Sequence, residues 1–345
     1  MFTTHKSNIL LVKLLGQEEI EIDRNMSYPN SNPLFRLGQN PWIMLLVLVL
    51  ISLGGVFLIG QVMAIVTALI MLGSLSQLQD ILLNPEAYPD HRSTVLIMQG
   101  MSSLGGFIIT PIIYYYLMVK GNLLDDFVKL PSNAFRILIV TVVMVFSFMV
   151  VNTVFIEWNA NLELPGFMSG FEKWATDLED SMAGLTKFLT EFETTGYFIL
   201  SIVVIAVIPG IGEEILFRGF LQNILRKIFR NDHVAVWVAA ILFSAIHFQF
   251  YGFVPRMLLG AIFGYLYLWS GNLLVPIVAH FLNNSISLLS LFVYQKGLTD
   301  FDAESTEALP MMYVLIFSAL FVAALVYFKN FTVKNENDEG LERSV

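Results

Sequence analysis

The stretch GYFILSIVVIAVIPGIGEEILFRGF, residues 196–220, begins as an apolar run and ends on two adjacent carboxylates and a guanidinium, Glu213, Glu214 and Arg218. The run is of the length and character that crosses a bilayer, which takes about 20 apolar residues. Ionisable side chains in such a segment are costly, on the order of 3 kcal/mol each at the centre of an inserted helix. Pro209-Gly210 interrupts the run and predicts a kink or break. Beyond it, EEILFRGFLQNILRKIFR (213–230) reads as an amphipathic continuation.

The rest of the 345-residue chain is of the same kind: 56% hydrophobic and 14% charged, against about 25% charged in a soluble domain. Apolar length places spans at Trp42–Leu72, Thr94–Met118, Ile137–Ile156, from Tyr197 onward, Val234–Phe248, Met257–Trp269, Leu273–Tyr294 and Met311–Phe328. The expected fold is therefore all-α, a polytopic membrane helix bundle of about eight transmembrane helices with additional amphipathic helices. Residues 1–41 and 329–345 read as polar tails, 42–194 as N-terminal spans, 195–295 as a core segment and 296–328 as the last loop and span. The start, MFTTHKSNILLVKLLGQEE, has too short an apolar core for a cleavable signal peptide, and Lys13 interrupts it. Absent cysteine, thiolate catalysis, disulfides and Cys-ligated zinc are excluded. A net charge of −9 argues against nucleic acid as a partner.

Loop charge orients the bundle. The connection 157–195 carries Glu157, Glu163, Glu172, Asp177, Glu179, Asp180, Glu191 and Glu193 against Lys173 and Lys187, and 297–310 carries acids alone. Arg226, Lys227 and Arg230 follow the fourth span, and Lys120, Lys129 and Arg136 lie between the second and third. The positive-inside rule then places both termini in the cytoplasm. Segment 157–194 alternates apolar and charged residues, which predicts an amphipathic helix at the bilayer surface.

Further polar groups lie at membrane depth: His247 in FSAIHF, and His280, Asn283 and Asn284 in VPIVAHFLNNS. Glu214 and Arg218 are four apart and share a helix face, while Glu213 is turned about 100° away. His280 and Asn284 are also four apart. Taken singly, Glu214–Arg218 reads as a structural ion pair, His247 as an interfacial histidine, and His280 with Asn284 as interhelical glue. GAIFG (260–264) reads as a packing motif. Together, the groups put a carboxylate, two histidines and an amide on three successive apolar segments, a constellation able to do chemistry. A proton-coupled transporter and a non-catalytic membrane scaffold or immunity protein are the rival readings.

EEILFR, FSAIH and HFLNN match the motifs E-E-x-x-x-R, F-x-x-x-H and H-x-x-x-N in that order. Over residues 195–295 the chain resembles the CAAX-protease and bacteriocin-processing (CPBP, or Abi) family of intramembrane endopeptidases, whose eukaryotic relative is the type II CAAX prenyl endopeptidase. The resemblance implies hydrolysis of a peptide bond in a membrane-associated or prenyl-type substrate. It implies Glu213 as the water-activating carboxylate, with Glu214 and Arg218 completing its motif. His247 would work with that carboxylate, and His280 and Asn284 would hold the oxyanion. Whether Asn283 or Asn284 faces the site stays open. So does the cofactor: a metal-free glutamate, or a divalent ion such as zinc on Glu213, His247 and His280. The implied partners are a peptide or protein substrate and the lipid bilayer, and the implied location is a bacterial cytoplasmic membrane. Substrate identity and oligomeric state are not legible.

Overall fold

The computed structural model describes residues 40–119 and 133–342, with side chains as far as 332. The N-terminal tail through residue 39, and Lys120 and Lys129 of the second link, lie outside the described residues. Helices make up the described fold and no strand occurs among the described residues. We number them α1 (Pro41–Leu72), α2 (Leu75–Leu83), α3 (Pro89–Val119), α4 (Ala134–Ala160), α5 (Ser169–Leu189), α6 (Thr195–Phe229), α7 (Asp232–Ala245), α8 (Phe253–Ser270), α9 (Leu274–Gln295) and α10 (Met311–Glu342).

Seven of these, α1, α3, α4, α6, α8, α9 and α10, are long and apolar enough to cross a membrane, one fewer than the sequence pattern suggested. The difference is α7. Its 14 residues follow Asn231, whose side chain accepts from the Val234 N–H as an N-cap. They stop before Phe248, whose φ of 53° lies in the left-handed region and cannot continue a helix. Helix α10 runs on to Glu342.

The outward faces of α1 and α10 expose Leu46, Phe57, Leu58, Ile70, Leu315, Ile316 and Val322. Such a surface is stable against hydrocarbon and not against water. Inward, α6 is the hub. Ile215, Leu216, Phe217, Phe220 and Leu221 pack with Ala235, Ala239 and Phe243 of α7 and with Tyr114 and Tyr115 of α3. A second cluster joins α4, α8, α9 and α10 through Met144, Phe263, Ala279 and Phe328.

Helix α6 does not break at Pro209-Gly210. It continues for 35 residues, and wide π turns at Ile202–Val207 and Ile215–Gln222 flank the proline. Proline lacks an N–H and crowds the carbonyl four residues back, here that of Ile205. The widened turn frees that carbonyl, and Asn284 of α9 donates its Nδ2–H to it at 3.1 Å. Glycines then bring the neighbours close. A Cβ on Gly212 would stand 2.8 Å from the Phe107 carbonyl oxygen of α3, and one on Gly210 would stand 3.3 Å from the Phe281 backbone of α9. PGIG thus lets α6 touch two helices beside Glu213 and Glu214.

The same device joins α1 to α3, where a Cβ on Gly105 would lie 2.8 Å from the Cα of Gly60. Backbone cannot yield there as a side chain could, so Gly105→Val is expected to destabilise the bundle by about 1–3 kcal/mol, read as a lowered unfolding temperature in detergent. An unfolding temperature equal to wild type would refute this packing.

Candidate active site

Glu214 and Arg218 form the buried base of the site. Their side chains are 0% and 1% exposed and meet at 2.7 Å. The other arm of the guanidinium donates to the Gly260 carbonyl at 2.7 Å, and Cζ lies 4.7 Å from the centroid of the Phe243 ring. One helical turn on, Gln222 donates to the Gly264 carbonyl at 3.1 Å. GAIFG is therefore more than a packing stripe. Its glycines bring the α8 backbone close enough for two carbonyls to serve side chains of α6.

The paired Glu214 carboxylate also receives His280. Nδ1 of His280 lies 2.9 Å from Glu214 Oε1. An ionised carboxylate only accepts, so Nδ1 carries the hydrogen, and in the neutral ring Nε2 is bare. The ring is further fixed by stacking on Phe263, with centroids 5.1 Å apart. Nε2 points toward Glu213, 4.0 Å from its Oε2. That separation is too long for a direct hydrogen bond and suits a bridging water.

His247 is held by its own helix: Nδ1 donates to the Phe243 carbonyl at 2.8 Å, which leaves Nε2 free. It sits in the turn between α7 and α8, and that turn is clamped from outside. Asn159, buried at the end of α4, donates to the Phe250 carbonyl at 3.1 Å and accepts from Val254 N at 2.8 Å. Glu179 of α5 accepts from Tyr251 N at 2.9 Å. The acidic amphipathic helix expected from the sequence therefore also braces the loop that carries His247.

Glu213, His247, His280, Asn283 and Asn284 line one cavity of about 550 Å³. Glu214 and Arg218 stand behind its wall. Both asparagines reach it, Asn283 donating to Asn284 Oδ1 at 3.1 Å. Asn284 spends one Nδ2 hydrogen on Ile205 and keeps one. Polar side chains the sequence reading passed over complete the lining: Gln99, Ser103, Asn152 and Arg256. Arg256 was legible by the rule that found Glu213, as an ionisable group in an apolar segment. Starting the sixth span at Met257 instead of Phe253 put it in a loop.

The conformation of the two histidines, Nδ1 anchored and Nε2 bare, is one that metal-ligating histidines adopt. Even so, no three His, Asp or Glu side chains among the described residues are gathered closely enough to hold an ion. As placed, Glu213, His247 and His280 do not form a cradle for zinc.

A family model described as "Type II CAAX prenyl endopeptidase Rce1-like" matches residues 195–286. The matched segment holds all six motif residues, and four of them, Glu213, His247, His280 and Asn284, line the cavity. Among curated proteins, the "Uncharacterized protein YpbD" of Bacillus subtilis (strain 168) is 32% identical over 89 residues. The match covers 25% of this chain and 42% of that relative. None of the solved structures matches the chain.

Proposed function

We propose that the chain is an intramembrane endopeptidase in which Glu213 activates water against a peptide bond. The observation that supports this best is the convergence of Glu213, His247, His280 and Asn284 on one cavity within a bundle of apolar helices. A water bridging Glu213 Oε2 and His280 Nε2 would have both hydrogens committed to acceptors and its lone pair facing the cavity. As its oxygen adds to the substrate carbonyl carbon, Glu213 takes the proton. The carbonyl pair moves onto oxygen, where the remaining Asn284 N–H supports it. When the C–N bond breaks, Glu213 returns the proton to the departing amine. His247, with Nε2 bare, orients water or substrate N–H. Glu214 and Arg218 act through His280 by fixing its tautomer and angle. Cleavage of an internally quenched peptide library by the wild-type protein, and not by Glu213→Gln, tests the reading.

The cavity also has a sidedness. Its lining reaches Asn152 and Ile156 near the end of α4 and Gly252 in the α7–α8 turn. A second cavity of about 350 Å³ shares Gln99, Ile205, Asn284 and Ser287 with it and continues to Thr186, Thr190 and Ala303. Those last residues belong to the two acid-rich connections. The basic cluster Arg226–Arg230 lies at the opposite ends of the helices. With the basic Arg226–Arg230 end on the cytoplasmic side, the mouth faces the outer side, and the substrate is a peptide segment presented there. The chain has no native cysteine, so single-cysteine variants need no further change. Ser287→Cys and Glu304→Cys are expected to react with a membrane-impermeant thiosulfonate in intact cells. Lys227→Cys is expected to react only after permeabilisation. The inverse pattern would reverse the orientation.

A further inference from the structure

The donors that line this cavity beside Arg256 are neutral amides and hydroxyls, on Gln99, Ser103, Asn152, Asn283, Asn284 and Ser287. The Glu213 carboxylate accepts, and so do Nε2 of His247 and of His280, because each ring has its Nδ1–H engaged elsewhere. Asn284 has already given one amide hydrogen to Ile205. Yet the developing oxyanion of peptide hydrolysis needs donors aimed at it, and a cationic donor is the stronger kind. Among the residues lining the cavity, Arg256 is the one lysine or arginine.

Its placement is specific. Arg256 lies on the first turn of α8, and Nη2 donates to Gln249 Oε1 at 2.6 Å. A Cβ on Gly252 would come within 3.1 Å of Nη2, so glycine at that position makes room for the guanidinium. Nη1 is shielded from solvent and has no hydrogen-bond partner. Buried guanidinium hydrogens are seldom left without an acceptor, and here one end of the fork is tied down while the other lacks a partner, on a side chain that lines the same cavity as the proposed base. Asn159 and Glu179 brace the backbone between Gln249 and Arg256, so the group is held in advance of any substrate.

We propose that Arg256 is a catalytic residue whose Nη1–H donates to the scissile carbonyl oxygen and holds it as an oxyanion. The role rests on the endopeptidase reading. Arg256 exchanges no proton. The bond that forms joins the water oxygen to the carbonyl carbon, the π pair moves to the oxygen that Arg256 holds, and Glu213 carries the proton to the leaving amine.

The test uses the full chain in detergent micelles and a peptide that the wild type cleaves from an internally quenched library. Arg256→Ala is expected to lower kcat about 10²-fold while KM stays within about threefold, with partial recovery on adding guanidinium ion. Arg256→Gln, which keeps a polar side chain but removes the charge and shortens the reach, is expected to lose as much, and serves if the alanine variant does not fold. Gln249→Ala breaks the anchoring bond without removing the cation and is expected to keep kcat within about fivefold. Wild-type kcat in Arg256→Gln would overturn the role. A raised KM at unchanged kcat would also overturn it, because it assigns Arg256 to a carboxylate of the substrate. A loss in Gln249→Ala as large as in Arg256→Ala would reduce Arg256 to a brace for the turn. If the wild type cleaves no peptide in the library, the endopeptidase reading falls and the role falls with it.

Discussion

Glu213→Gln is expected to lower kcat by about 10³- to 10⁴-fold on any peptide the wild-type chain cleaves, with little change in the unfolding temperature. The two halves of this result have separate causes. Glutamine matches glutamate in shape, so the cavity wall between α6 and α9 is unchanged. The amide cannot take a proton from water, and one of its two positions donates where the carboxylate accepted. His280 Nε2 lies 4.0 Å from Glu213 on a neutral ring, so no direct ion pair is lost. Removing a partly buried carboxylate, 12% exposed at its side chain, also removes a charge that the interior disfavours. A variant that folds as the wild type does and cleaves within about tenfold of it would show that Glu213 is not the base. A proton-transporting chain would behave differently again: flux would depend on Glu213 while no peptide was cut.

The parts of this molecule that the sequence makes legible are those set by apolar length and by costly polar groups. The spans at α1, α3, α4, α6, α8, α9 and α10 follow from hydropathy, because a bilayer demands long helices with their backbone groups satisfied internally. Glu213, His247, His280 and Asn284 stand out because nothing about packing requires them at that depth. What the pattern misses depends on partners distant in sequence. Pro209 reads as a break by any local rule. It is absorbed because a widened turn and an amide 79 residues away serve the carbonyl it displaces. Helix α7 reads as a span because its apolar run extends past Ala245, yet Phe248 turns the backbone. Asn159 reads as a loop residue and is buried, holding two backbone groups of another connection. GAIFG reads as a small-residue stripe, and its carbonyls hold Arg218 and Gln222. In each case the local chemistry is visible, and the contact that decides its use is made across the fold.

Arg218→Met is expected to destabilise the protein by about 3–5 kcal/mol, the effect of leaving a buried charge unpaired, and so to lower the unfolding temperature in detergent far more than Glu213→Gln does. Glu214 is 0% exposed, and its Oε1 receives both Arg218 and His280, while Oε2 has no hydrogen-bond partner. Without the guanidinium, the carboxylate stays buried with one neutral imidazole donor, and the Gly260 carbonyl loses its donor as well. Methionine fills much of the volume between Phe243 and Phe263, so the loss measures the charge and not a cavity. Adding Glu214→Met to Arg218→Met removes the stranded charge, and a pair of apolar residues of similar volume is often no less stable than a buried ion pair. The double variant is therefore expected to recover most of the unfolding temperature. It is not expected to recover cleavage, because His280 loses the acceptor that fixes its Nδ1–H and keeps Nε2 facing Glu213. Stability that returns without activity separates the two duties of this pair: folding requires only that the charges balance, whereas the chemistry requires that Glu214 be present to hold the histidine. Full activity in the double variant would detach His280 from Glu214 and remove the positioning role.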